Sequence, residues 1–119
     1  MKMYLNEQQT AKLIELGFEE PKIVTEISWQ EDEKDEPIIN ANTIEYTRHY
    51  SIGELLSFLP RVISNKKFNY ATINIFHDSI NWVVGYDDVD GVMRFITSDI
   101  ELIDALCVLC RKLKEEGVI

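Results

Sequence analysis

Basic residues are scarce in this sequence. Twelve Lys and Arg stand against 21 Asp and Glu, a formal net charge of −9. That balance opposes binding to nucleic-acid phosphates and to anionic membrane surfaces, both of which select for Lys and Arg. Cysteine is scarce too: two in 119 residues do not make a secreted disulfide scaffold. No apolar run approaches membrane-spanning length, and no basic-then-apolar leader is present. These absences lead us to expect a cytoplasmic protein, soluble and in a reducing compartment. There is no nucleophile elbow, phosphate loop or dinucleotide fingerprint. Nor is there an internal repeat or a low-complexity tract.

What is present reads as a globular chain. The apolar content is 45%, and a chain of this length buries roughly two-thirds of its unfolded surface, enough for one core without staples. The expected fold is α+β in a single domain spanning 1–119. Asn6 suits the cap of a first helix over 7–16, with Ala11, Leu13, Ile14 and Leu16 as its apolar face and Gly17 as its stop. Residues 22–29 and 43–49 have strand-like composition. Ser51 and Glu54 form a capping box that opens a short central helix, which Pro60 curtails at Leu59. Residues 61–67 read as a surface connection.

The C-terminal half is the most patterned. Residues 70–76 alternate, with Ala71, Ile73 and Ile75 on one side. Residues 81–87 and 92–96 read as two further strands, joined at Asp90-Gly91 by a type I′ turn. A three-stranded antiparallel meander over about 70–97 is therefore expected. Ser98 and Glu101 form another capping box, opening a long helix over about 99–116. Ile100, Ile103, Leu106, Cys107, Cys110 and Leu113 recur at helical spacing, which makes this helix the cover of the meander.

Three stretches carry a likeness. YSIGELLSFLP at 50–60, ELIDAL at 101–106 and KLKEEGVI at 112–119 resemble segments of a group of small uncharacterised bacterial proteins, often associated with prophage or other mobile elements. The likeness extends over about the C-terminal two-thirds of the chain. Its motifs are helix starts and core positions, so it implies a bacterial, phage-related accessory protein and transfers no activity and no site residue.

Five constellations have residue types that could carry chemistry. Cys107 and Cys110 sit in the later half of their helix, where the dipole opposes a thiolate, so core packing is favoured over redox work. Cys107, Cys110, His49 and His77 have the count of a zinc set but not its spacing. Asp87, Asp88 and Asp90 are better read as a solvated turn than as a cation loop. His77, Asp78 and Ser79 are adjacent, which is turn chemistry before it is a triad. Trp82 and Tyr86 share one side of their strand, and Val83 and Gly85 the other. One side must meet the helices; an exposed aromatic side would bind protein.

A last stretch is acidic. Glu31, Asp32, Glu33, Asp35 and Glu36 surround the lone Lys34, which reads as a mobile loop at about 30–40. The expected function is that of a non-enzymatic, acidic accessory protein that binds another protein, with nucleic-acid mimicry as a sub-case. Glu31, Asp32, Glu33, Asp35, Glu36, Trp82 and Tyr86 are the candidate contacts. A homo-oligomer is compatible with this reading, and no cofactor, metal, nucleic acid or membrane is implied. The alternative is a small enzyme or metal-dependent hydrolase using His77, Asp78 and the carboxylates of Asp87, Asp88 and Asp90.

Overall fold

A computed structural model describes residues 1–21, 29–31, 37–39, 49–66 and 69–119. Among them the fold is α+β, with three helices: α1 (Glu7–Glu15), α2 (Ile52–Phe58) and α3 (Leu102–Glu115). Strands β3 (Val62–Asn65), β4 (Asn69–His77), β5 (Trp82–Asp88) and β6 (Met93–Asp99) form one antiparallel sheet in that order. Strands β1 (Trp29–Glu31) and β2 (Pro37–Ile39) pair apart from it as an antiparallel ribbon.

The meander thus has four strands, not three. The fourth, β3, lies in the stretch expected as a surface connection: its four residues are too few to show a period. The stretch expected as a mobile acidic loop is flanked by β1 and β2, so its ends belong to a paired ribbon; Asp32, Glu33, Asp35 and Glu36 lie outside the described residues. The strands expected at 22–29 and 43–49 also lie outside them, except for Trp29 and His49.

Local chemistry accounts for the helix ends. Asn6 accepts from the Gln9 amide while Gln9 accepts from the Asn6 amide, a complete capping box for α1. Ser51 and Glu54 do the same for α2, and Leu59 is extended ahead of Pro60. Two helices finish alike. Gly17 and Gly117 take φ of +96° and +72°. The amides one residue on, Phe18 and Val118, reach back to the carbonyls of Leu13 and Leu113. Each is a Schellman stop sealed by an apolar contact.

The capping box expected at Ser98 does not form. Ser98 and Asp99 pair with Val83 and Trp82, so β6 runs through both, and the helix begins four residues after Ser98, too late for Ser98 to be its cap. Glu101 is the N-cap and makes no side-chain cap bond. Its amide donates to Asp99 Oδ1 at 3.0 Å, and its carboxylate accepts from the Lys2 amide at 2.9 Å. Tertiary pairing has overridden a local signal.

Helix α3 is the centre of the core. Ile103, Ala105, Leu106, Cys107, Leu109, Cys110 and Leu113 are all buried. The helix lies on β5 and β6 and carries α2 on another flank. Ile100, expected on its stripe, precedes it and is 71% exposed. Thr97 Oγ1 donates to the Ala105 carbonyl at 2.9 Å, pinning β6 to α3. Two buried tyrosines hold connecting segments: the Tyr50 hydroxyl donates to the Glu19 carbonyl and the Tyr86 hydroxyl to that of Pro60.

The β5–β6 hairpin departs from expectation in two places. The turn is not type I′, because only Gly91 in it takes positive φ (+79°). Gly91 donates to the Asp88 carbonyl and Asp88 to that of Val92, giving a type I turn closed by a glycine bulge. Further along, the register slips between Val84 and Tyr86. Gly85 there faces two residues, Phe95 and Ile96, and Phe95 adopts φ of +54°.

This bulge aims Arg94, Phe95 and Thr97 all toward the helix-covered side. Arg94 meets Asp88, Phe95 meets the Tyr86 ring edge-on at 6.5 Å, and Thr97 meets α3. The left-handed Phe95 costs about 1–3 kcal/mol. The ring pair returns about 0.5–1.5 kcal/mol beyond its burial, so burial of Phe95 against the core must supply the rest.

Gly85 is required by this arrangement. A Cβ there would lie 3.0 Å from the Arg94 carbonyl oxygen and 3.2 Å from the Ile96 Cα, both backbone. Gly85→Ala is expected to destabilise the protein by about 1–3 kcal/mol through overpacking, read as a lower midpoint in urea at unchanged slope. Gly91→Ala strains only the turn. Equal stability of Gly85→Ala and wild type would contradict the bulge geometry.

Candidate functional site

The thiols lie within the core. Cys107 is 2% exposed and Cys110 0%. Burial pushes their pKa values up to about 11 and about 12. Cys110 Sγ faces the Leu55 carbonyl of α2 at 3.7 Å. Both are thiols at neutral pH, the wrong form for nucleophilic attack. His49 Nδ1 lies 3.3 Å from Thr10 Oγ1 on α1, while His77 ends β4 on the surface. Among the described residues, no three or more His, Cys, Asp or Glu gather where a metal ion could sit. The four candidate zinc ligands are not brought together.

His77, Asp78 and Ser79 build a turn. Asp78 Oδ1 accepts from the amides of Ile80 and Asn81 at 3.0 and 2.7 Å. These amides hold its carboxyl below the ordinary range. His77 Nδ1 accepts from the Ser79 amide at 3.2 Å, and its ring stands edge-on to Trp82 at 5.1 Å. Each group that would have to act on a substrate is already engaged by its own loop.

The other carboxylates are engaged elsewhere. Asp88 closes the β5–β6 turn: Oδ1 accepts from the amides of Asp90 and Val92, and Oδ2 from Arg94 Nε at 3.0 Å. Its side chain is 1% exposed. Asp87 accepts from Asn74 Nδ2 at 2.8 Å on the opposite side of the sheet. In the β4–β5 ladder His77 pairs with Trp82 at one end and Thr72 with Asp87 near the other. Five strand residues separate these levels, about 17 Å. The residues of the enzyme alternative therefore do not converge.

The aromatic candidates lie on the helix-covered side. Tyr86 is 0% exposed and contacts the core, so it is not available to a partner; Trp82 is half-buried beside His77. Sequence alternation gave the right grouping but not which side met the helices. Of the acidic candidates, Glu31 ends β1.

The open surface is the other side of the sheet. Cross-strand register places Val62, Ser64, Tyr70, Thr72, Asn74, Phe76, Val83, Gly85, Asp87, Met93, Ile96 and Ser98 there. Val62, Tyr70, Phe76 and Ile96 are 49%, 62%, 42% and 53% exposed. The Met93 side chain lies over Gly85, and Val83 is buried beside its partner Phe76. Of the strand residues on this side, Asp87 alone is charged, among the described residues. A chain of −9 has kept one face nearly free of charge. Sequence reasoning missed it because its members alternate through four strands, one of them unseen.

No protein-family model, no curated protein and no solved structure matches the chain. No helix among the described residues is long and apolar enough to cross a membrane.

Asp88 gives a test of this assignment. Burial alone would raise its carboxyl, but the Val92 and Asp90 amides and the Arg94 guanidinium outweigh that and hold it below its ordinary 3.8. A carboxyl held low in the folded state stabilises above its unfolded pKa of about 3.9 and loses that contribution as pH falls through the lower folded value. Thermal melts should therefore show wild type losing stability from about pH 4 downward, and Asp88→Asn losing less over the same range. Parallel pH profiles would show that Asp88 is not the lock of the hairpin.

Proposed function

We propose that the chain is a non-enzymatic interaction protein that binds another protein on the outer face of the β3–β6 sheet. The observation that supports this is the face itself. It carries exposed Val62, Tyr70, Phe76 and Ile96 and, among the described residues of its strands, a single carboxylate, already hydrogen-bonded to Asn74. Exposed apolar side chains on one charge-poor face mark docking sites. The net charge of −9 disfavours non-specific association. The role of an accessory factor from a prophage or mobile element rests on the resemblance of segments 50–60, 101–106 and 112–119.

Capture from bacterial lysate tests the reading. A partner is expected on immobilised wild-type protein at low and at moderate salt. It should be lost when Phe76→Glu and Ile96→Glu are combined, with the far-UV circular dichroism unchanged. Equal capture by the variant, or no partner at low salt, would contradict the proposal.

A further inference from the structure

We infer that the β4–β5 turn is a proton-sensitive switch, in which a second proton on the His77 ring releases Ser79 from its left-handed conformation. The switch needs no partner and is independent of the docking face. Its basis is one hydrogen bond. The Ser79 amide donates to His77 Nδ1 at 3.2 Å. A backbone N–H can only donate, so Nδ1 is the ring nitrogen without a proton, and the neutral ring carries its one N–H at Nε2. A doubly protonated ring has an N–H at both nitrogens. It sets donor against donor at Nδ1, and the bond is lost. The ring is exposed, and imidazole is the side chain whose ordinary charge change falls between about pH 5 and pH 8.

Ser79 depends on that bond more than its neighbours do. It has φ of +85°, a conformation that a residue with a Cβ keeps only where its surroundings compel it. Asp78 Oδ1 holds the amides of Ile80 and Asn81, and the Asp78 amide donates to the Asn81 carbonyl. Those bonds do not involve the ring, so they keep the turn closed in either state. The response is therefore confined to Ser79, which leaves the left-handed region as its amide turns to water.

The groups around the ring make the proton welcome. Among the described residues, the Asp78 carboxylate lies beside it in the same turn and interacts with it electrostatically. Across the ladder stands Trp82, uncharged and edge-on at 5.1 Å. Beyond Trp82, its β6 partner Asp99 accepts from the Glu101 amide. Both carboxylates attract an imidazolium, while only the neutral ring can accept from Ser79. Asp78 itself stays ionised over the range in which imidazole titrates, because the Asn81 and Ile80 amides hold its carboxyl below 3.8.

NMR on the full chain, from about pH 8 to about pH 5, tests this. The His77 ring protons report its titration. The Ser79 amide should shift with the same midpoint, and its exchange with solvent, corrected for the intrinsic pH dependence, should rise severalfold on the acid side. The Asn81 amide, held by Asp78, should keep its protection. In His77→Asn, whose side-chain oxygen can take the place of Nδ1 and does not titrate, Ser79 should stay protected throughout. In His77→Phe, which has a ring but no acceptor, Ser79 should be unprotected throughout. A Ser79 amide indifferent to the titration of the His77 ring overturns the inference. So does an unchanged pH response in His77→Asn.

Discussion

Helix α3 has seven buried residues among fourteen, and such a surface is stable only when protein covers it from several directions. One sheet cannot do that. The β5 and β6 strands cover one flank and α2 another. The N-terminal segment reaches the helix start, where Lys2 bonds Glu101 through its amide and Asp104 through its ammonium. Gln9 joins from α1 by donating to the same Asp104 oxygen. The α1 and α2 caps therefore do more than start helices: they orient the elements that keep α3 dry. Small side chains matter here, and Ala105, Cys107 and Cys110 let the sheet and α2 approach closely. Removing apolar volume from such a site costs about 2–5 kcal/mol per large side chain, because the neighbours cannot all collapse into the gap.

The sheet meets the same demand by turning one side to the core. Without the Phe95 bulge, strict alternation could not send Arg94, Phe95 and Thr97 to a common side. With it, Asp88 gains a cation, Tyr86 a ring and α3 a hydroxyl anchor. The cost is a strained residue and a glycine that admits no side chain. The opposite side is left with Ser, Thr, Asn, Gly, Met, one Asp and a few apolar residues. The sites that looked chemical in the sequence are accounted for by folding: the thiols fill the core, and Asp78 and Asp88 each hold a turn. The surface to which no folding role falls is the charge-poor outer face.

How much of this was legible depended on the range of the interaction. The caps at Asn6 and Ser51, the stops at Gly17 and Gly117 and the break at Pro60 all lie within a few residues of what they control. So does the buried stripe of α3. The box at Ser98 and Glu101 was equally well formed in the sequence, yet pairing of Ser98 and Asp99 with β5 removed it. Strand β3 was too short to show a period. For Trp82 and Tyr86 the alternation separated two sides, but only the position of α3 decided which was inside. The register slip at Gly85 left no local sign beyond the glycine itself. The outer face is therefore visible only once four strands are aligned.

The claim that α3 is enclosed can be tested with the probes it already carries, Cys107 and Cys110. Reaction of the native protein with a thiol-specific chromogenic disulfide at pH 8 should be very slow at both positions, since both are buried and held as thiols. In denaturant, both should react at once and in full. Rapid reaction of even one thiol in the native protein, at the rate of an exposed cysteine, would mean that α3 is open to solvent and that the account of the core is wrong.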